Sequence, residues 1–282
     1  STKEEKGMLV TLNEILTKAK AEGYAVPATN VDHDHNVRAA IEAAEEMNSP
    51  LILNMTPTAN PDMEFFGPIA AEMARRSSQQ ICLNLDHGKT FEQCLLGVRS
   101  GFTNIMIDRS TLPFEENVKQ VKEMVDICHA LGLTVEGELG HVGMGDNYAV
   151  DGNQALTDVK EAAAFVEQTG VDALAVAIGT AHGAYKGVPK IRFELLHELR
   201  DAVPVPLVLH GGSGSGDENL ARCAKEGINK LNLSNDLKRA AIENLVNRDL
   251  SGNAVDRVYA LQSEGFKNKI KHYIGICGCA GK

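Results

Sequence analysis

Short apolar segments alternate with longer amphipathic segments along the whole chain, and this alternation is the strongest constraint on its fold. Segments such as Leu174–Ile178 are apolar at every position, which is typical of strands buried on both faces of a parallel sheet. The sequence predicts eight such strands: Tyr24–Ala28, Leu51–Asn54, Gln80–Leu85, Asn104–Ile107, Thr134–Glu138, Ala173–Ala177, Pro206–Leu209 and Lys230–Leu233.

The segments between the predicted strands repeat apolar residues at intervals of three and four, which makes one helical face apolar. Val37, Ala40, Ile41 and Ala44 form one such stripe. The predicted helices cover residues 37–47, 91–99, 116–131, 158–169, 191–201, 217–226 and 236–246. Strands that alternate with helices in this way predict an α/β fold.

Chain length decides between the α/β architectures. A (β/α)₈ TIM barrel typically needs about 250 residues, and this chain has 282. No Gly-x-Gly-x-x-Gly pattern follows the first predicted strand, which argues against an open dinucleotide-binding sheet. We therefore expect one (β/α)₈ TIM barrel domain over residues 1–282, with a helical C-terminal segment over about 254–282.

Charge and composition exclude several classes of partner. The chain has 28 basic and 38 acidic residues, a net charge of −10, so a nucleic-acid backbone would be repelled. It contains no Trp and only 5% aromatic residues, too few for base-stacking surfaces. No apolar run approaches the roughly 20 residues of a membrane span, and no secretory signal opens the sequence. We expect a cytoplasmic protein with neither a nucleic-acid nor a membrane partner.

Cysteine spacing fits a reducing compartment. Four of the six cysteines are scattered through apolar segments, unlike a disulfide framework. Cys277 and Cys279 are too close in sequence for an ordinary bridge, and no second pair accompanies them as in a zinc ribbon. We interpret these two residues as a simple thiol pair near the C-terminus.

Polar side chains gather directly after the predicted strands. In a TIM barrel the active site is built at the carboxyl ends of the strands. The residues at those positions can bind ligands, and they come from all eight strands: Thr29, Asn30, Thr56, Asp86, His87, Asp108, Arg109, Glu138, His182, His210, Asn232, Ser234 and Asn235. We therefore expect one composite site at this rim.

Three residues of this rim are histidines. His87, His182 and His210 follow the third, sixth and seventh predicted strands. Three neutral imidazoles with an open fourth position form a catalytic zinc site, so the sequence predicts Zn²⁺ as a cofactor. Asp86 precedes one of these ligands, and we interpret it as a general acid or base beside the metal. The alternative role of helix cap falls to Thr90, directly before the next predicted helix.

A glycine-rich loop, Gly211-Gly212-Ser213-Gly214, lies between the seventh predicted strand and the following helix. Backbone N–H groups in such a loop can cradle a phosphate, aided by the helix dipole. Barrel enzymes often hold phosphate in the loops after strands seven and eight. Side chains that would add hydrogen-bond donors here are Ser213, Asn232, Ser234 and Asn235.

Seven segments match a known family in order and across nearly the whole chain: Gly23–Asn30, Leu85–Gly88, Pro113–Asn117, Val135–Gly140, Ala175–Gly183, Leu207–Gly214 and Cys277–Cys279. The chain resembles the class II, zinc-dependent ketose-bisphosphate aldolases, which include fructose- and tagatose-bisphosphate aldolases. The resemblance implies reversible cleavage of a ketose (bis)phosphate. Fructose 1,6-bisphosphate is the leading candidate, giving dihydroxyacetone phosphate and an aldehyde such as glyceraldehyde 3-phosphate.

The resemblance also implies a role for each matching residue. Three histidines match the zinc ligands, namely His87, His182 and His210. Asp86 matches the catalytic acid or base, and Glu138 matches a carboxylate near the metal. The residues that match positions holding the phosphate of the ketose are Gly183, Gly211, Ser213, Asn232 and Asn235.

Other features of the family imply a further ion and an assembly. A monovalent cation, Na⁺ or K⁺, would sit near Gly183 and Gly211. Family members are commonly homodimers or homotetramers, in which an Arg near the C-terminus reaches a neighbouring subunit and binds the far phosphate. Arg257 is the candidate for that role in this chain.

Four positions depart from the family pattern. The mobile loop offers only Asp146 as a proton-shuttling acid, and Asn235 replaces the usual Thr. Arg257 stands in Asp-Arg-Val where the family has Asp-Pro-Arg, and Arg109 replaces a small residue. Arg109 is either a solvent-facing residue or a specificity contact to an anionic substrate end. These departures keep other substrates open: tagatose 1,6-bisphosphate, 2-deoxy-5-keto-gluconate 6-phosphate or a sulfo-sugar phosphate.

Three alternatives belong to other classes of function. A metal-dependent hydrolase would use His33-Asp34-His35, although we expect Asp32 or Asp34 to cap the helix there. A lysine-imine aldolase would use Lys230, but that residue lies deeper than the rim, and we expect it to pair with Glu136. A catalytically inactive partner subunit would have a degenerate ligand set, whereas this chain retains every candidate ligand.

Overall fold

The computed structural model describes residues 8–143, 156–183, 185, 187, 189–246, 248–252 and 255–282. Parallel strands close into a barrel in sequence order, and the last strand bonds back to the first. The strands are β1 Val26–Asn30, β2 Leu51–Met55, β3 Ile81–Gly88, β4 Asn104–Ile107, β5 Thr134–Leu139, β6 Ala173–Val176, β7 Leu207–Leu209 and β8 Ile228–Leu233. The alternation in the sequence predicted this (β/α)₈ TIM barrel correctly.

Helices surround the barrel and bury its outer face. They are α1 Leu12–Glu22, α2 Asp34–Glu46, α3 Met63–Arg75, α4 Phe91–Arg99, α5 Phe114–Ala130, α6 Val159–Thr169, α7 Phe193–Ala202, α8 Asp217–Glu226, α9 Asn235–Glu243 and α10 Val255–Cys277. The predicted stripe of α2 is buried at Val37, Ala40, Ile41 and Ala44. Helix α10 packs against α2 and α9.

Helix α1 lies across the amino-terminal ends of the strands. The backbone N–H of Leu12 donates to Thr134 Oγ1 at the start of β5, at 3.1 Å. Lys20 Nζ donates to the carbonyls of Val203 and Val205, just before β7. Because this helix covers the bottom of the barrel, the carboxyl ends of the strands form the accessible end.

Inside the barrel, three amides bond to one another across neighbouring strands. Asn84 Nδ2 donates to Asn54 Oδ1 at 2.8 Å, and Asn104 Nδ2 donates to Asn84 Oδ1 at 2.6 Å. Buried polar groups are costly unless they are hydrogen-bonded. These bonds therefore favour one register of β2, β3 and β4.

The structure corrects two details of the sequence prediction and adds two helices to it. Strand β1 is shifted from its predicted start at Tyr24, because the backbone N–H of Tyr24 donates to Ala19 and that of Ala25 to Cys277. The cap of α2 is His33, whose Nδ1 accepts from Asn36 N at 3.4 Å, so the predicted Asp32 or Asp34 cap was wrong. Helices α1 and α3 had no predicted bounds.

No described helix is long and apolar enough to cross a membrane.

Candidate active site

The carboxyl end of β3 is irregular, and the irregularity presents two adjacent polar residues to the barrel mouth. The register between β3 and β4 shifts between Leu85 and Gly88. His87 has φ of 54°, a left-handed conformation that costs an L-residue about 1–2 kcal/mol. Bulges beside active sites commonly redirect a side chain. Here both Asp86 and His87 line the same cavity.

Three imidazole rings meet at this end of the barrel. The ring centroids are 4.9 Å apart for His87 and His182, 4.7 Å for His87 and His210, and 5.5 Å for His182 and His210. One ring nitrogen from each lies within 4.8 Å of the others, close enough to share a metal ion. The structure therefore brings together the three predicted metal ligands.

Carboxylates hold two of these rings by one nitrogen each. His87 Nδ1 lies 2.9 Å from Asp108 Oδ2, and His210 Nε2 lies 3.0 Å from Glu136 Oε1. A carboxylate accepts, so these nitrogens carry the ring protons. The other nitrogens, His87 Nε2 and His210 Nδ1, face each other at 3.0 Å. Two lone pairs at that distance repel unless a proton or a metal ion lies between them.

The same surroundings set the charge of the rings. Burial, with a contribution from the nearby His87, lowers the pKa of His182 to about 4. Burial, together with His87, also holds the pKa of His210 well below its ordinary value. At His87 burial opposes protonation, but Asp86, Asp108 and Glu138 outweigh it and raise the pKa to about 9. Neutral imidazoles are the form that binds metal. His182 and His210 are therefore neutral at pH 7, and a metal ion would displace the second ring proton of His87.

Glu138 ends beside the imidazoles with one carboxylate oxygen uncommitted. Its Oε1 accepts from the backbone N–H of Val142 at 3.2 Å. Its Oε2 lies 3.9 Å from His210 Nδ1 and has no hydrogen-bond partner among the described residues. Burial, with a contribution from Asp108, raises the pKa of Glu138 to about 8. A buried carboxylate in this position would be stabilised by a nearby cation.

These donors fit a divalent metal ion. Among the described residues, His182 Nε2 is also buried without a hydrogen-bond partner. Unpaired buried polar atoms are uncommon in folded proteins and often mark an ion or a catalytic group. Imidazole nitrogens with one carboxylate oxygen form a donor set that suits Zn²⁺.

Asp86 lies next to the imidazoles and is held by two amides. Asn232 Nδ2 donates to Asp86 Oδ1 at 3.2 Å, and Asn30 Nδ2 approaches Asp86 Oδ2 at 3.5 Å. The side chain is buried, with 4% exposure. Contacts from β1 and β8 therefore fix the orientation of a carboxylate that itself comes from β3.

A cavity of about 270 Å³ adjoins Asp86 and collects most of the predicted substrate-binding residues. It is lined by Asn30, Thr56, Asp86, His87, His182, Gly183, Gly211, Gly212, Ser213, Asn232, Leu233, Ser234 and Asn235. Two larger cavities, of about 560 and 500 Å³, lie on the surface around α2 and α3 and contain none of these residues. The chemistry is concentrated in the smaller cavity.

The glycine-rich loop is held against the start of α9. Gly211 has φ of 67°, and a Cβ there would lie 2.2 Å from the carbonyl oxygen of Ala181. Ser213 Oγ accepts from the backbone N–H groups of Ser234 at 3.1 Å and Asp236 at 3.3 Å. These bonds hold the loop at the N-terminus of α9, and the positive dipole end of a helix suits a phosphate.

The family follows from the comparison with known proteins. The sequence model of the class II fructose-bisphosphate aldolases matches residues 10–282. This chain belongs to that family. Class II aldolases are lyases that break a carbon–carbon bond, and the family generally depends on zinc.

Solved structures agree with this family. The YdjI aldolase from Escherichia coli K12 has 33% identity and a TM-score of 0.87, over 97% of this chain and 98% of that chain. A Coccidioides immitis protein provisionally assigned as a fructose-1,6-biphosphate aldolase has 28% identity and a TM-score of 0.86, over 96% of each chain. The fructose-bisphosphate aldolase of Campylobacter jejuni, at 22% identity and a TM-score of 0.80, shares the fold over 98% of this chain and 97% of its own.

Several predicted residues lie elsewhere. Arg257 is exposed on α10, and Asp146 lies outside the described residues. The side chain of Arg109 donates to the carbonyl oxygen of Lys89, and Arg109 lines neither the site cavity nor the cavity beside it. His33 caps α2 and His35 stacks on Tyr259, so these histidines have local roles.

The predicted pair of Lys230 and Glu136 is confirmed at 2.7 Å, with both side chains fully buried. A lysine committed to a buried carboxylate below the rim is badly placed to form an imine. Asp108 was predicted to lie at the rim, but its role as the partner of His87 was not predicted. Its position directly after the fourth predicted strand, beside the strand that precedes His87, was the available signal.

Proposed function

We propose that this aldolase is zinc-dependent and reversibly cleaves a ketose (bis)phosphate, with fructose 1,6-bisphosphate as the leading substrate. One observation supports this above the others. Two of the imidazoles, His87 and His182, open with Asp86 and the glycine-rich loop into one cavity, and His210 lies directly behind His87. Metal, proton carrier and phosphate anchor therefore face a single bound molecule. The expected products are dihydroxyacetone phosphate and an aldehyde such as glyceraldehyde 3-phosphate.

The residues that would hold the metal are His87, His182 and His210, with Glu138 as an additional carboxylate. When bound, Zn²⁺ supplies Lewis-acid polarisation of the carbonyl and hydroxyl oxygens of the ketose. Asp108 and Glu136 fix the orientation and the proton position of two of the rings. Such outer carboxylates typically raise the basicity of the ligand and its metal affinity.

Asp86 acts as the general base for cleavage. Its carboxylate accepts the proton of the C4 hydroxyl as the bond between C3 and C4 breaks, and it returns that proton in the condensation direction. Asn30 and Asn232 hold the carboxylate in place by their amide groups. Because these two amides come from other strands, the proton acceptor is positioned before the substrate binds.

The loop after β7 and the start of α9 anchor the phosphate of the ketose. Gly183 follows β6, and Gly211, Gly212 and Ser213 follow β7. Beside them, Asn232, Ser234 and Asn235 lie at the end of β8 and the start of α9. Thr56 lies at the edge shared with a neighbouring cavity. A monovalent cation, Na⁺ or K⁺, near Gly183 and Gly211 would add positive charge to this anchor in an acidic protein.

Three further parts of the proposal concern the surroundings of the site. Asp146 would protonate the carbanion equivalent of dihydroxyacetone phosphate, and Arg257 would reach a neighbouring subunit in a homodimer or homotetramer. All six cysteines are free and buried, which supports a reducing, cytoplasmic location. The single-domain organisation over residues 1–282 belongs to the same proposal.

Other ketose phosphates are the first alternative: tagatose 1,6-bisphosphate, 2-deoxy-5-keto-gluconate 6-phosphate or a sulfo-sugar phosphate. A non-catalytic partner subunit is the second.

The zinc-loaded enzyme should be assayed in the condensation direction, with dihydroxyacetone phosphate and a panel of aldehydes, and then in cleavage with each ketose product. Formation of a ketose phosphate supports the proposal. A zinc-loaded chain that condenses no aldehyde and cleaves none of these ketose phosphates contradicts it and favours the partner subunit.

A further inference from the structure

A second cavity, of about 290 Å³, lies beside the site cavity, and the two share Thr56, His87 and His182. The rest of its lining is Pro57, Thr58, Lys89, Gln93, Asp108, His141, Val142 and Gly143. We call it the distal cavity. Because the two cavities meet at His87 and His182, a ketose anchored by its phosphate in the site cavity would extend past these imidazoles into the distal cavity. The distal cavity therefore faces the part of the substrate that leaves as the aldehyde.

The wall of the distal cavity carries a positively charged side chain, that of Lys89. Lys89 is exposed at its wall and carries a positive charge at neutral pH. The side chain of His141 is 46% exposed, and its Nδ1 lies 3.0 Å from Ser110 Oγ and 3.9 Å from Glu138 Oε1. Asp108 is the carboxylate of the lining, and it is already committed to His87 and Ser110. An anionic group is thus the ligand that this wall favours.

The backbone at Lys89 is fixed from both sides. Its N–H donates to Gln93 Oε1 at 2.8 Å, and its carbonyl oxygen accepts from Arg109 Nη1. Both partners come from outside the turn, one from α4 and one from the residue after Asp108. These two hydrogen bonds fix the backbone of the turn, and the side chain of Lys89 therefore stays beside the cavity.

We infer that Lys89 binds an anionic group, phosphate or carboxylate, at the distal end of the substrate, and that Arg109 is a positioning residue for Lys89. This inference rests on the proposed function. It changes the role of Arg109 from a direct contact with the substrate to a support for the residue that makes the contact. The enzyme then prefers aldehydes with an anionic terminus over neutral aldehydes of similar length.

The test compares Lys89→Ala, Lys89→Arg and Arg109→Ala in condensation with dihydroxyacetone phosphate. The aldehydes are glyceraldehyde 3-phosphate, succinate semialdehyde and neutral glyceraldehyde, so phosphate and carboxylate are distinguished. Lys89→Ala should raise the KM of the preferred anionic aldehyde about tenfold, the scale of one charge-assisted hydrogen bond. The KM for glyceraldehyde should change less than about twofold, because no charged group is lost to it.

The remaining variants separate binding from folding. Lys89→Arg should retain the preference, and Arg109→Ala should raise the same KM with little change in kcat. Lys122→Ala, which removes a lysine paired with Asp126 on α5, is the matched control and should behave like the unaltered enzyme. Equal effects on anionic and neutral aldehydes, or no effect of Lys89→Ala, overturn the inference while the proposed function stands. Failure of the unaltered enzyme with all three aldehydes overturns both.

Discussion

Lys230 Nζ lies 2.7 Å from Glu136 Oε2 in the barrel interior, and neither side chain is exposed to solvent. The other oxygen of Glu136 lies 3.0 Å from His210 Nε2. The lysine holds the carboxylate in place by one oxygen, the other oxygen accepts the proton of Nε2, and Nδ1 of His210 is left as the metal-binding nitrogen. A charge pair below the site thus sets the tautomer of a ligand within it.

Replacing Lys230 by Met should destabilise the fold strongly. The substitution leaves Glu136 buried without its cation, and breaking a buried pair in this way costs about 3–5 kcal/mol. Metal affinity should also fall, by about 10- to 100-fold, because the orientation of His210 is disturbed. Urea unfolding and a competition titration with a zinc-binding dye measure the two effects.

The double variant Lys230→Met with Glu136→Gln is the control for that experiment. Without a charge to bury, it should recover much of the free energy of unfolding. A single variant as stable as the unaltered protein would show that the pair does not carry a buried charge.

Replacing Asp86 by Ala should abolish most turnover while the metal is retained. Loss of a positioned general base lowers kcat by about 10²- to 10⁴-fold, and the imidazoles keep their own carboxylate partners. Steady-state kinetics and the zinc content of the purified variant are the measurements. Asp201→Ala, at an exposed carboxylate paired with Arg200, is the matched control. A fully active Asp86→Ala enzyme would contradict the assigned role.

Removing the metal should abolish activity reversibly. A chelator would leave His87 Nε2 and His210 Nδ1 facing each other without a cation, and added Zn²⁺ should restore both metal content and turnover. Borohydride in the presence of substrate should have no effect, because Lys230 is paired with Glu136. Inactivation by borohydride, with activity that persists in chelator, would instead favour a lysine imine.

Replacing Gly211 by Ala should impair substrate binding more than stability alone explains. The new Cβ would lie 2.2 Å from the carbonyl oxygen of Ala181, so the phosphate loop must shift. Gly23→Ala is the matched control, since Gly23 has a similar φ of 70° with no atom within 4 Å of an added Cβ. Each substitution strains the backbone by about 1–2 kcal/mol, but only Gly211→Ala should raise the KM of the ketose phosphate, measured in the cleavage assay.

The local pattern of apolar and polar residues was sufficient to predict much of the fold and of the site. All eight strands were predicted, because strands buried on both faces are apolar at nearly every position. His87, His182 and His210 were grouped correctly because the carboxyl ends of parallel strands meet at one rim. Side chains alternate between the two faces of a strand, and this alternation along β5 and β8 was enough to predict that Glu136 pairs with Lys230.

Features that depend on packing between distant residues were not predicted. The start of β1 is set by a hydrogen bond from Ala25 to Cys277, which are far apart in sequence. The contact from Arg109 to Lys89 depends on how the turn after β3 packs beside the end of β4. The direction in which a loop side chain points depends on contacts of this kind, and the type of residue alone does not predict it.

The barrel, its rim and the types of ligand at the rim could all be predicted from the amino-acid sequence, since hydrophobic periodicity and the placement of polar residues after strands are local properties. The folded chain was needed to show which nitrogen of each histidine is free, which amides hold Asp86, and where the distal cavity lies. Those relationships depend on distances of a few ångströms between side chains from different strands, and the one-dimensional pattern does not contain them.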